Sequence, residues 1–228
     1  MKLIIIIVAI VAIGILYYLM GSNLKELEKI AKDSELNEIA SKYPENKKIC
    51  ETILRMLGNN KTSIDEKLES DATLYIAIQN KILIGNTHQS FTRIQTIAHE
   101  CLHSIQDRKI LLFNFFYSNI YFIYWFVICI LTIFNKNMNE LIYSNILLIL
   151  SLIYYAVRVF LENDAMIKAQ YIAKEYMQEQ AIVTEEEVDK IFNGFQKLNE
   201  GLIKGTNCNL FTGIMIKLVI FNTLALIF

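Results

Sequence analysis

Apolar residues in this chain are gathered into long blocks, and that grouping limits the architectures open to it. Leu3 to Met20 runs 18 residues without a charge; Ile110 to Phe134, Leu141 to Leu161 and Leu210 to Phe228 are blocks of similar length. A helix of roughly 17–25 apolar residues covers the hydrocarbon of a bilayer, so each block is long enough for one crossing. The composition agrees, with 54% hydrophobic and 11% aromatic residues, a mean hydropathy of +0.35 and the single proline Pro44. The first block follows Lys2, as a signal peptide would, but ends in Tyr17-Tyr18-Leu19-Met20 rather than at a small-x-small site. It is therefore read as an uncleaved anchor. The six residues 135–140 leave room only for a tight hairpin between the second and third blocks. Asn114, Asn119, Asn145 and Arg158 must face protein or the interface rather than lipid. Lys217, the one charge of the last block, either snorkels or faces the bundle.

The charges set an orientation. Residues 23–109 hold thirteen Lys or Arg and residues 162–209 hold five, whereas the opposite side has only Lys2 and Lys136. Positive-inside reasoning puts both polar segments in the cytoplasm and the 135–140 hairpin outside. The expected fold is mainly α: one domain over residues 1–228, a bundle of about four transmembrane helices (3–20, 110–134, 141–161 and 210–228). The polar segments 23–109 and 162–209 form its catalytic part, on a multi-pass protein of the cell membrane. The bilayer is thus the first partner. Nucleic acid is not expected, because no basic cluster with interleaved aromatics occurs. Oligomeric state is left open.

Inside the first polar segment, Leu24 to Ser41 and Glu45 to Leu57 have helical amphipathic spacing, the second stopped by Gly58-Asn59-Asn60. Thr73 to Gln79 and Ile82 to Gly85, joined by Asn80-Lys81, predict a short β-hairpin. In the second segment Thr184 and Glu187 form a capping box that starts a helix to about Leu198. Cys50, Cys101, Cys129 and Cys208 lack CxxC spacing, so neither a disulfide framework nor a cysteine zinc knuckle is expected. Cys129 is read as a small core residue.

The most specific pattern is His99-Glu100-Cys101-Leu102-His103. Helical residues four apart share a face, so both imidazoles can reach one ion, and Glu100 can reach a water bound to it. Two imidazoles suit Zn2+, and catalytic zinc keeps three protein ligands plus water. Phe91, Ile94, Ile97, Ala98, Cys101, Leu102 and Ile105 form an apolar stripe; Thr92, Gln95, Thr96, His99, His103 and Gln106 fall on the other side. Both histidines are therefore on the polar face, which weighs against packing residues. His88 has no partner motif and is read as structural. For a third ligand, two crossings return the chain to its starting depth, and Glu162 is the first carboxylate after the third block. Asp164 and Glu175 are the substitutes should Glu162 not serve.

At these residues the chain resembles a family. His99-Glu100-x-x-His103-x-x-Gln106 is similar to the HExGHAxQ motif of the small bacterial membrane-bound neutral zinc metallopeptidases, the YugP-like proteins. Glu162-Asn163-Asp164-Ala165, with Lys168-Ala169, resembles their ExDASxRA motif, and the order of parts matches along nearly the whole chain. More distantly it is similar to the HtpX-like and prenyl-protein (CAAX) membrane proteases, which also take a glutamate as third ligand. Leu102 stands where the family has glycine, Ser104 where it has alanine, and Met166 and Lys168 where it has serine and arginine. The distant families carry an aspartate four residues after the ligand glutamate; that position is Met166 here, and Asp164 is only two residues on. Asp164 and Gln106 are the candidates for orienting the ligand histidines.

The resemblance and the residues imply one activity, a zinc-dependent endopeptidase of protein or peptide substrates at the cytoplasmic membrane surface, in a zincin-like subdomain. Glu100 is the expected general base. Ile82 to Gly85 is a candidate to pair with substrate backbone, and His88, Lys168 and Tyr171 are candidates for stabilising the oxyanion. The competing readings are an intramembrane protease, a catalytically inactive metal-binding scaffold or sensor, and a transporter. The polar Gln95-Thr96 and Ser104 to Lys109 that bracket the motif favour the surface over the bilayer interior.

Overall fold

The computed structural model describes residues 2–21, 24–67, 69–70, 72–86, 90–134 and 139–228. His88, Lys136 and most of the expected 135–140 hairpin lie outside them. The chain is mainly helical, with one small sheet. In order the elements are α1 (Lys2–Gly21), α2 (Leu24–Ala31), α3 (Ser34–Ser41), α4 (Asn46–Met56), β1 (Ser63–Lys67), β2 (Leu74–Ile76) and β3 (Lys81–Gly85). There follow α5 (Arg93–Ile105), α6 (Arg108–Ile133), α7 (Glu140–Gln180) and α8 (Glu185–Ile227). They group into two compact units. The first comprises Met1–Ser22, Phe113–Phe160 and Lys204–Phe228; the second comprises Asn23–Leu112 and Leu161–Ile203.

In the first unit, α6, α7 and α8 supply stretches long and apolar enough to cross a membrane; α1 is also apolar, but its span Lys2–Tyr18 is shorter. Ala9 of α1, Tyr121 and Ile128 of α6, Leu147 of α7 and Phe221 of α8 form the core. Polar groups bond between helices here. Ser151 Oγ donates to Tyr121 Oη at 2.9 Å, and Asn222 Nδ2 donates to Ser144 Oγ at 3.2 Å. Lys217 faces the bundle, its ammonium 5.0 Å from the Tyr121 ring centroid. Lys2 pairs with Glu140, and its Nζ donates to Ala225 O at 2.6 Å. The starts of α1 and α7 and the end of α8 therefore meet at one end of this unit.

The second unit is built around a three-stranded sheet of order β1-β3-β2. A hairpin is present, with a first strand shorter than the expected Thr73 to Gln79 and Lys81 in β3 rather than in the turn: β2 pairs antiparallel with β3, Tyr75 opposite Ile82. The connecting turn ends at Asn80, which holds a φ of 49°, a left-handed conformation that asparagine tolerates. A third strand, β1, pairs parallel with β3 from Ser63↔Lys81 to Lys67↔Gly85. This corrects the role expected of Ile82 to Gly85. As the central strand β3 has neighbours on both edges and cannot take a substrate backbone; the free edges belong to β1 and β2. Gly85 is required where it stands, since a Cβ there would come within 2.8 Å of the Ala72 backbone.

Three helix boundaries also differ from expectation. Residues 24–41 form two helices, because Asp33 caps α3 by accepting from Glu35 N and Leu36 N. The helix that enters through the third apolar block continues past Leu161 to Gln180, and the last helix runs unbroken from the Thr184 capping box to Ile227. The core gathers Ile49 and Ile53 of α4, Ile82 and Ile84, Ile94, Ile97 and Ala98 of α5, and Ile191 and Phe195 of α8. Against it α7 presents Ala165, Ala169 and Ala173, all fully buried; small residues every four positions let neighbouring helices approach closely. Arg93, at the start of α5, is 2% exposed. Its guanidinium donates to the carbonyl oxygens of Ala40, Tyr43 and Pro44 and to Asn46 Oδ1, at 2.8–2.9 Å. That fixes α5 to the end of α3.

Candidate metal centre

All residues of the candidate site lie in the second unit. α5 begins within a buried apolar stretch: Phe91, Ile94, Ile97, Ala98 and Cys101 are fully buried and Leu102 is 5% exposed, while Ile105, at the helix end, is open. That packing turns the opposite face, with His99 and His103, toward α7. Leu102 is thus a core residue and removes no polar group from the face. Cys101, between the histidines, points into the core, its Sγ 3.6 Å from Cys50 Sγ. All four cysteines are free and buried.

The structure brings His99, His103 and Glu162 together, one potential ligand atom from each lying within 4.8 Å of the others. His99 Nε2 is 3.0 Å from His103 Nε2 and 3.4 Å from Glu162 Oε2, and His103 Nε2 is 3.7 Å from that same oxygen. Bonds of about 2.1 Å in a tetrahedron separate ligand atoms by about 3.4 Å. The three distances bracket that value, and two imidazoles with one carboxylate are a zinc donor set, so the residues fit the ion.

Gln106 fixes how His103 presents itself. Its Nε2 donates to Leu161 O at 2.9 Å and to Asp164 Oδ2 at 3.1 Å, which leaves Oε1 to face His103 Nδ1 at 2.8 Å. Oε1 can only accept, so the Nδ1 hydrogen points at it and neutral His103 keeps its Nε2 lone pair for a metal. Asp164 meets the imidazole through Gln106 rather than directly. It is held in turn by Lys168 at 2.6 Å, and that ammonium, first among its neighbours, keeps the Asp164 carboxyl below the usual carboxylate range. Lys168 therefore spends its charge on Asp164. Tyr171 is exposed, one ring of it tilted against Phe192.

Glu100 lies beside the cluster, Oε1 4.0 Å from His99 Nε2, and its Oε2 accepts from Tyr75 N of β2 at 2.6 Å. Burial raises the Glu100 carboxyl above its ordinary value, against the opposing pull of His99 and His103. Burial also acts on His103 in the direction of losing its proton, but the Glu162 carboxylate, Glu100 and Gln106 outweigh it and hold the imidazole above its usual range. Sequence reasoning passed over three residues. Tyr75 lies in the expected hairpin but gave no sign that its main chain meets Glu100. Gln95 sits on the polar face of α5, four residues before His99. Asn199 falls just past the expected end of the helix that began at Thr184.

No family model matches the chain, and neither a curated protein nor a solved structure does.

Proposed function

We propose that this chain is an integral-membrane zinc metallopeptidase that hydrolyses peptide bonds of proteins or peptides, with Glu100 as general base. The observation that carries the proposal is the convergence of His99, His103 and Glu162 at separations suited to tetrahedral zinc. Zinc held by these three residues would supply a bound water acidic enough to ionise near neutral pH, and would polarise a peptide carbonyl. Glu100 has a carboxylate made more basic by burial, a match for taking a proton near neutral pH. It then returns that proton to the leaving nitrogen. The Tyr75 N–H points away from β3, and in antiparallel pairing the carbonyl of the same residue points the same way. That N–H is already taken by Glu100, so this edge of β2 serves to hold the base rather than a substrate strand.

Membership of the membrane-bound neutral zinc metallopeptidases is part of the same proposal and is supported by the two motifs at His99 and Glu162. So are four crossings with a cytoplasmic site. The uneven distribution of lysine and arginine supports that sidedness, and the contacts of Lys2 with Glu140 and Ala225 support α1 as a member of the bundle. The zinc content of detergent-purified protein tests the reading, wild type beside Glu162→Gln. The expected result is about one zinc per chain, lost or weakened in the variant. Zinc retained unchanged would remove Glu162 from the site. Zinc absent from both after resupply would overturn the peptidase reading and leave an inactive scaffold or sensor.

A further inference from the structure

The ligands come from two helices far apart in sequence, and three atoms around one ion tolerate little error in the spacing of those helices. Gln106 ties them at one end, from the last turn of α5 to Leu161 and Asp164 on α7. At the other end the tie comes from a third helix. Asn199 of α8 is 4% exposed; its Oδ1 accepts from Gln95 Nε2 at 3.2 Å, and its Nδ2 donates to Met166 O at 2.9 Å. Gln95 stands four residues before His99 and Met166 four residues after Glu162. Asn199 therefore grips α5 and α7 about one helical turn from a ligand on each.

We infer that Asn199 is a positioning residue of the metal centre, setting the separation between the histidines of α5 and Glu162 of α7. The inference rests on the zinc reading above. The chemistry restricts what can fill the position. A main-chain carbonyl can only accept, and the Gln95 amide nitrogen can only donate, so the group between them must donate on one side and accept on the other. A primary amide does both from one short planar side chain. An ionised aspartate of the same shape would set a second acceptor against Met166 O, and leucine would offer neither group.

The experiment uses the full chain in detergent, wild type beside Asn199→Asp, loaded with Co2+, whose visible bands report ligand geometry. Zinc affinity is measured alongside by competition with a chelator, and thermal unfolding is followed on metal-free protein. The expected result is a shifted cobalt spectrum and zinc held about 10–100-fold more weakly. A spectrum and affinity equal to wild type, with only the unfolding temperature lowered, would show a packing role and overturn the inference. If Asn199→Asp does not fold, Gln95→Met removes the α5 half of the same bridge. Shifted cobalt bands in that variant support the inference and unshifted bands overturn it. Wild type that binds neither metal overturns the zinc reading together with this one, whereas wild type that binds both, with unaltered variants, overturns this one alone.

Discussion

The two units solve opposite packing problems with the same chain. In the second, apolar groups fill the interior and charges lie outside: Ile49, Ile53, Ile94 and Phe195 are fully buried, while Glu35–Lys190 and Lys174–Asp189 pair at the surface. In the first, large apolar side chains such as Phe116, Ile120, Phe122 and Ile123 point outward, each more than half exposed, while Ser144, Ser151, Thr132 and Asn222 are buried between helices. Water drives apolar groups together in one; the other turns apolar surface outward from helices long and apolar enough to cross a membrane, and places hydrogen bonds between them. The difference says where chemistry can be built. A hydrophilic cluster such as His99, His103 and Glu162 needs a packed frame that fixes its helices, and the second unit supplies one.

The largest test of that contrast is catalytic. Glu100→Gln is expected to lower peptide hydrolysis by about 10²–10⁴-fold with zinc still bound, whereas Lys217→Met, at a charge of the first unit, leaves the rate unchanged. Loss of zinc from Glu100→Gln would overturn its assignment as the base. Next in size is the core. Phe195→Ala is expected to destabilise the second unit by about 3–5 kcal/mol, read from denaturant unfolding in detergent, and Phe122→Ala, which points outward, to change stability by less than about 0.5 kcal/mol. Equal losses would erase the distinction between the units.

Smaller effects sharpen it. Asn222→Leu removes the bond to Ser144, and an interhelical hydrogen bond of this kind contributes about 0.6 kcal/mol. A loss of several kcal/mol would show the first unit to depend on polar contacts more than its exposed apolar surface suggests. The smallest effect is at the surface of the second unit. Lys42, with the backbone N–H of Thr184, lowers the Glu187 carboxyl from 4.5 to about 2. The unfolded chain therefore takes up that proton first, and the stability Glu187 contributes is present above about pH 4.5 and lost as pH falls toward 2. Glu187→Gln is expected to flatten that part of the unfolding midpoint's pH dependence; an unchanged slope would assign the acid sensitivity to other carboxylates.

Much of the architecture was legible because the strongest signals are periodic or long. The stripe from Phe91 to Leu102 placed α5 and its histidines, and the lengths of two apolar blocks led from His103 to Glu162. What escaped depended on contacts with no local signature. β1 is Ser-Ile-Asp-Glu-Lys, nearly all exposed, and its strand character comes from the backbone of β3 rather than from its own side chains. α8 was expected as two pieces, a helix to about Leu198 and an apolar block from Leu210, yet between them Gly201 is a packing position: a Cβ there would come within 2.5 Å of Leu27 Cδ1. For the same reason Asn199 read as a residue beyond a helix end, when it is a bridge between two other helices. The β3 edge was misjudged because sequence shows that a strand exists but not how many neighbours it has.

Arg93 carries a consequence of its own. All four of its bonded partners are uncharged oxygens, so there is no acid among them to titrate. The hold of Arg93 on the end of α3 therefore rests on neutral oxygens and does not lapse as carboxylates elsewhere in the protein take up protons. Mild acid should leave α5 seated on α3 even where surface ion pairs of the same unit are lost.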